Sequence, residues 1–173
     1  MASAIQIPIA EYLESTYHPD CEYIDGALLE RNVGKWSHAR VQWLLASWFC
    51  KHESNWDVIG STEQRMRVSP TRIRIPDLVL LRPGEQPDVL VAPPLLVIEV
   101  LSPDDSYLEM QDRCQDYISM GVRNLWIVDP TTRSGRMYVD NGWVTAEQLE
   151  VAGTPIHVDL IQLFIQIDTP TPQ

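Results

Sequence analysis

Basic residues are scarce in this chain of 173 residues, where 13 Lys and Arg face 24 Asp and Glu for a formal net charge of −11. With a pI near 4.6, such a balance favours solubility. It argues against indiscriminate binding to nucleic acid, whose affinity rests largely on neutralising phosphates, and leaves open a local basic patch or a metal-bridged phosphate contact. Cysteine is limited to Cys21, Cys50 and Cys114, an odd, widely spaced set without a CxxC pair. That pattern opposes a disulfide framework and suits a reduced, cytoplasmic chain. Neither Cys nor His falls at paired ligand spacing, which disfavours a zinc cage. No basic segment followed by an apolar one opens the sequence, and no apolar run approaches the roughly 20 residues that span a bilayer; no membrane partner is expected. Missing too are GxxxxGK[ST], a GxGxxG after a strand and a GxSxG elbow, so nucleotide-driven and serine-hydrolase chemistries have no local support.

What remains is a globular composition, 45% hydrophobic and 21% charged, with no repeat, long linker or low-complexity stretch. The chain reads as one domain over residues 1–173, with a core at about residues 20–140. Residues 8–17 suit a short helix. CEYIDGALLERN carries Asp25-Gly26 between apolar flanks, a hairpin signal. Ser37 can cap a helix to about Lys51, with Val41, Leu44, Leu45, Trp48 and Phe49 as its apolar stripe. His38 falls in its first turn, where a His ordinarily sits in solvent or a local hydrogen bond. Strands are expected around the Ser69-Pro70 turn, a helix from Ser102-Pro103 to Gly121, a strand over Val122–Val128, and a last hairpin about Asn141-Gly142. The apolar tail DLIQLFIQI reads as packing.

The most informative stretch runs from Arg74 to Pro103. Two near-continuous apolar runs, Ile73 to Leu81 and Leu95 to Leu101, suit strands covered on both faces. Each contains one acid, Asp77 in the first and Glu99 in the second. A carboxylate in a dry core is costly without a cation or strong donors, so two of them on neighbouring strands suggest a metal or acid/base site. Arg65, Arg67, Arg72 and Arg74 form the one concentrated basic feature, readable as a solvated sheet face or a phosphate-facing ribbon. If the strand is regular, Asp77 has the opposite parity to Arg72 and Arg74 and points away from them. The impure alternation around Glu22 leaves its face open, and periodicity puts Arg113 at the edge of its helix, where it either leans toward the sheet surface carrying Glu99 or, as periodicity favours, pairs with Glu109 or Asp116 in solvent.

IPDLVLL, PPLLVIEVLSP and DRCQDYISMGVRNLWIVDP, together with CEYIDGALLE and the helix carrying His38, resemble the Uma-type family of putative restriction endonucleases. That family was long carried as a domain of unknown function and belongs to the PD-(D/E)xK nuclease superfamily. The resemblance covers roughly residues 8–140. It implies an α/β, restriction-endonuclease-like core, a mixed β-sheet flanked by helices with an N-terminal hairpin, and Mg2+- or Mn2+-dependent hydrolysis of DNA phosphodiester bonds. It assigns Asp77 and Glu99 as metal-binding acids, the Val100 carbonyl as a further metal ligand and Glu22 as an outer acid. Where the superfamily pattern has a Lys two positions after the Glu, this chain has Leu101. The family's basic residue on the next helix corresponds to Arg113, which cannot act as a general base at ordinary pH but can stabilise charge on phosphate.

Two other classes compete with the endonuclease. One is a catalytically weakened nuclease fold that only binds nucleic acid or protein, favoured by Arg113 in the place of Lys and by the acidic charge. The other is a structural protein in which Asp77 and Glu99 accept hydrogen bonds from Arg74 or other donors. Nucleases that cut both strands often pair, and six Trp leave material for an apolar interface, so a homodimer is a candidate assembly.

Overall fold

Short apolar runs punctuated by turn residues build a two-sheet architecture in the computed structural model, which describes residues 6–31 and 35–168. Helix α1 (Ile9–Glu14) lays Tyr12 against Tyr23 of a hairpin formed by β1 (Cys21–Ile24) and β2 (Ala27–Glu30). Its turn is Asp25-Gly26, both with positive φ, the geometry that matches the twist of a tight hairpin. Helix α2 (Trp36–Trp56) buries Val41, Leu44, Leu45 and Phe49. It outlasts the expected end at Lys51 and stops where Asp57 turns left-handed. Ser37 lies inside its first turn, and Lys35 takes the cap position without a side-chain bond.

The strands β3 (Ile59–Thr62), β4 (Met66–Ser69), β5 (Arg72–Arg74), β6 (Leu78–Leu81) and β7 (Leu96–Val100) follow. β4 and β5 join the hairpin in a four-stranded sheet of order β2-β1-β5-β4. β6 enters a different sheet. The run from Ile73 to Leu81 is therefore two strands, broken where Pro76 removes a ladder donor and holds Ile75 out of the helical region. Side-chain parity does not carry across that break, so the expected separation of Asp77 from Arg72 and Arg74 has no basis in a regular strand.

Ser102–Asp105 makes a turn, with Asp105 N–H on the Ser102 carbonyl and Ser102 N–H on the Asp105 carboxylate. Helix α3 (Tyr107–Met120) begins only after it, later than expected, because Ser106 and Glu109 close a capping box. Gly121 ends α3 at φ 105°, as a C-terminal glycine should. α3 returns the chain to β8 (Leu125–Asp129), parallel to β7; such a crossover is what a parallel pair requires. β9 (Ser134–Val139) and β10 (Gly142–Ala146) complete a six-stranded mixed sheet of order β10-β9-β8-β7-β6-β3. Their turn falls on Asp140 and Asn141, one residue earlier than expected, since both take positive φ.

β7 lies inside this sheet, which explains its unbroken apolar run. Leu96, Ile98 and Val100 face the main core with α2, while Val97 faces Tyr117, Cys114 and Met110 of α3. The tail supplies β11 (Gln148–Glu150), β12 (His157–Asp159) and α4 (Leu160–Asp168), and Leu149, Val158, Leu163 and Phe164 are part of the main core. Among the described glycines, Gly135 in β9 is the most tightly enclosed. A Cβ there would lie 2.5 Å from Leu160 Cδ1 and 2.9 Å from Leu149 Cδ2. Gly135→Val should cost about 1–3 kcal/mol by overpacking, read as a lower urea midpoint, with Gly135→Ala milder because the obstructing atoms are ends of flexible side chains.

Candidate active site

The break at Pro76 creates the site. β6 and β7 are antiparallel, with Leu78 opposite Ile98. The paired register ends there, and Pro76, with no N–H to give, cannot extend it as a full ladder pair. The Val100 N–H donates instead to Asp77 Oδ2 at 2.8 Å, which sets a carboxylate against the end of β7.

Asp77 is buried and further held by Arg31 Nη2 on Oδ1 at 3.3 Å and His38 Nε2 against Oδ2 at 3.2 Å. Gln42 Nε2 donates to its backbone carbonyl. His38 therefore makes a long-range bond rather than the solvent or local contact expected from its place in the helix. Burial pulls its pKa down, but the Asp77 hydrogen bond and charge lift it above the ordinary value.

Glu99, next to Val100 in β7, is buried on the α3 side. Tyr117 donates its hydroxyl to Oε1 at 2.6 Å, and Arg113 Nη1 lies 3.5 Å from Oε2. Burial, aided by the charges of Asp77 and Glu22, pushes the Glu99 pKa up to about 8 against the pull of Arg113 and Tyr117. A buried acid with its pKa above its unfolded value of 4.5 binds more protons folded than unfolded in the interval between them. Stability should therefore fall as pH rises from about 4.5 to about 8, by at most about 1.4 kcal/mol per pH unit for one proton. Melting curves from pH 5 to 8 check this: Glu99→Gln should have the shallower slope, and equal slopes would remove the assignment.

Arg113 leaves the solvent position expected of it and leans inward, between Glu99 and Glu22, with Nε 3.6 Å from Glu22 Oε1. Glu22 is fully buried, accepting from Ile75 N–H at 3.0 Å and Arg74 Nη1 at 2.8 Å. Arg74 also binds Asp116 and Asp112, and Arg72 binds Asp25, Asp112 and Asp116. Arg72 and Arg74 are thus consumed by acids and form no phosphate-facing ribbon. Arg74 does not serve Asp77 or Glu99 as a donor; it reaches the site through Glu22.

A cleft of about 330 Å³ opens beside these groups, lined among others by Asp77, Val100, Arg113, His38, Arg31 and Ser102. Among the described residues no group of three His, Cys, Asp or Glu side chains converges for a metal. Asp77 and Val100 line the cleft and Glu99 does not, though it is the next residue to Val100; the oxygens of Asp77, Glu99 and the Val100 carbonyl are of the kind a hard divalent cation takes. Glu99 fits that use, since a buried acid short of compensating charge is what a cation would relieve. Arg31 and Tyr117, and the contact of His38 with Asp77, were not legible in the sequence, because they join residues far apart along it.

A mixed sheet between helices, with Asp77 at the entry to β6 and Glu99 in the neighbouring antiparallel β7, defines a restriction-endonuclease-like α/β protein. Residues 9–169 match the family Uma2, described as "Putative restriction endonuclease", and the chain belongs to that family. Its fold is similar to that of a putative nuclease of the DUF820 group from Anabaena variabilis ATCC 29413, at a TM-score of 0.79 and 20% identity over 92% of this chain and 98% of that one. A weaker likeness, TM-score 0.41 and 16% identity over 73% of this chain and 10% of the other, is to the DrdV–DNA complex. No curated protein matches the chain.

Proposed function

We propose that this protein is a metal-dependent endonuclease that hydrolyses DNA phosphodiester bonds in the Asp77 cleft. The observation that carries this reading is the buried Asp77 carboxylate held on the Val100 N–H, with buried Glu99 the neighbouring residue in β7. Asp77, Glu99 and the Val100 carbonyl would hold Mg2+ or Mn2+. Such an ion polarises a phosphoryl oxygen and lowers the pKa of a bound water. Arg31 and His38 fix the Asp77 carboxylate, and Tyr117 fixes that of Glu99. Arg113 keeps its proton, because Glu99 and Glu22 outweigh the burial that opposes its charge. It serves as the cation for the scissile phosphate and not as a base. Glu22 acts as the outer acid by holding Arg113 in place.

Purified protein should nick or cut plasmid DNA with Mg2+ or Mn2+ and stop in EDTA. Equal background cleavage with and without metal would end the reading. The setting implied is the cytoplasm, where the three free cysteines stay reduced; among the described residues no helix is long and apolar enough to cross a membrane. A homodimer would let two such sites cut both strands. The competing reading, a binding module that has lost catalysis, draws support from Arg113 being engaged by two acids. Calorimetric titration with Mn2+ separates the two, since a module without the metal site gives no heat and no gain in melting temperature.

A further inference from the structure

A larger cavity of about 550 Å³ lies on the other side of the Ser102–Asp105 turn, between the start of α3 and the strands β8, β9 and β10. We propose that it is a nucleobase site, holding one unpaired base of the strand whose phosphate lies in the Asp77 cleft; this rests on the nuclease reading and names its substrate class as single-stranded or locally unpaired DNA. The two cavities are neighbours, with Ser102 and Asp105 on the walls of both. Ser102 is 8% exposed, and its hydroxyl is buried without a hydrogen-bond partner at this junction. A buried unsatisfied hydroxyl costs stability unless a ligand completes it.

The chemistry of the walls suits an aromatic heterocycle. Met110 and Cys114 give an apolar floor, while Gln111 and Arg136 offer polar groups at the sides. Trp143 and Tyr107 also line the space and remain 40% and 73% exposed, surfaces on which a base can stack. Tyr138 supports Trp143 from one side, with ring centroids 5.5 Å apart. The volume falls in the range of small-ligand sites, and a base still paired in a duplex cannot enter it. Charge points the same way. At a formal net charge of −11 and with Arg72 and Arg74 already paired to acids, phosphate neutralisation supplies limited affinity, and stacking has to supply more.

The test is fluorescence anisotropy in EDTA, where no metal-dependent cleavage occurs, with a fluorescein-labelled mixed-sequence single strand and the corresponding duplex. The wild type should bind the single strand about tenfold more tightly than the duplex. Trp143→Ala should remove most of that preference, and Trp143→Phe should retain it. Tyr107→Ala, at an exposed position where folding is not at stake, should weaken single-strand binding several-fold. Equal binding of the two probes by the wild type, or a preference indifferent to both Trp143→Ala and Tyr107→Ala, overturns the base site. A parallel Mn2+ cleavage assay keeps the two ideas apart. Metal-dependent cleavage with binding indifferent to these residues leaves the nuclease and removes the base site; Trp143-dependent binding without cleavage does the reverse.

Discussion

Asp77→Asn should lower Mn2+-supported DNA cleavage about a thousandfold or more, because the substitution removes a charged ligand while keeping the shape of the side chain. Its remaining carbonyl oxygen can still accept from the Val100 N–H, which Asp77 Oδ2 now does at 2.8 Å. What changes is charge. An amide placed against Arg31 and His38 presents a donor to one of two groups that presently face a carboxylate. Metal affinity should fall with it, so Mn2+ should raise the melting temperature of the wild type and barely move that of the variant. Comparing the two with and without Mn2+ separates a lost ligand from a damaged fold. Cleavage by Asp77→Asn within a few-fold of the wild type would remove Asp77 from the reaction.

Part of this site is legible in the amino-acid sequence alone. Asp77 and Glu99 stood out because strands built of Leu, Ile and Val have no use for a carboxylate. The structure has both buried, Asp77 immediately before β6 and Glu99 in the adjacent antiparallel β7. The hairpin at Asp25-Gly26 and the end of α3 at Gly121 were readable for a similar reason, as each needs a positive φ that few residues accept. Other features depend on what lies across space. Strand parity failed after Arg74 because one proline divides the run between two sheets. Arg113 reads as a solvent residue by helical spacing, yet two buried acids draw it inward. His38 is separated by 39 residues from the carboxylate it holds, and no local pattern encodes that pairing. The role of Pro76 is the intermediate case: its missing N–H is plain in the sequence, but only the strand pairing shows that the Val100 N–H turns to Asp77 beyond the last ladder pair.

Arg74→Met should destabilise the fold by about 3–5 kcal/mol, the usual penalty for removing one partner of a buried ionic group. Arg74 is 2% exposed and spans three acids: Glu22 at 2.8 Å, Asp116 at 2.6 Å, and Asp112. Asp112 and Asp116 keep Arg72 as a partner and are reached by solvent to different degrees. Glu22 has no such reserve. Fully buried, it would retain the Ile75 N–H and the more distant Arg113 Nε. The loss should therefore come mainly from Glu22, and Glu22→Gln in the Arg74→Met background should recover a large part of it, a coupling that a double-mutant cycle in urea measures directly. Arg74→Lys keeps the charge but cannot fork to three acids and should fall between. A loss below about 1 kcal/mol, or strict additivity with Glu22→Gln, would show that the network is not held through this pair. The consequence reaches the cleft, since Glu22 is what Arg113 leans on away from Glu99. Loosening Arg74 should then weaken the hold on the one guanidinium assigned to the scissile phosphate, lowering cleavage at temperatures where the variant is still folded.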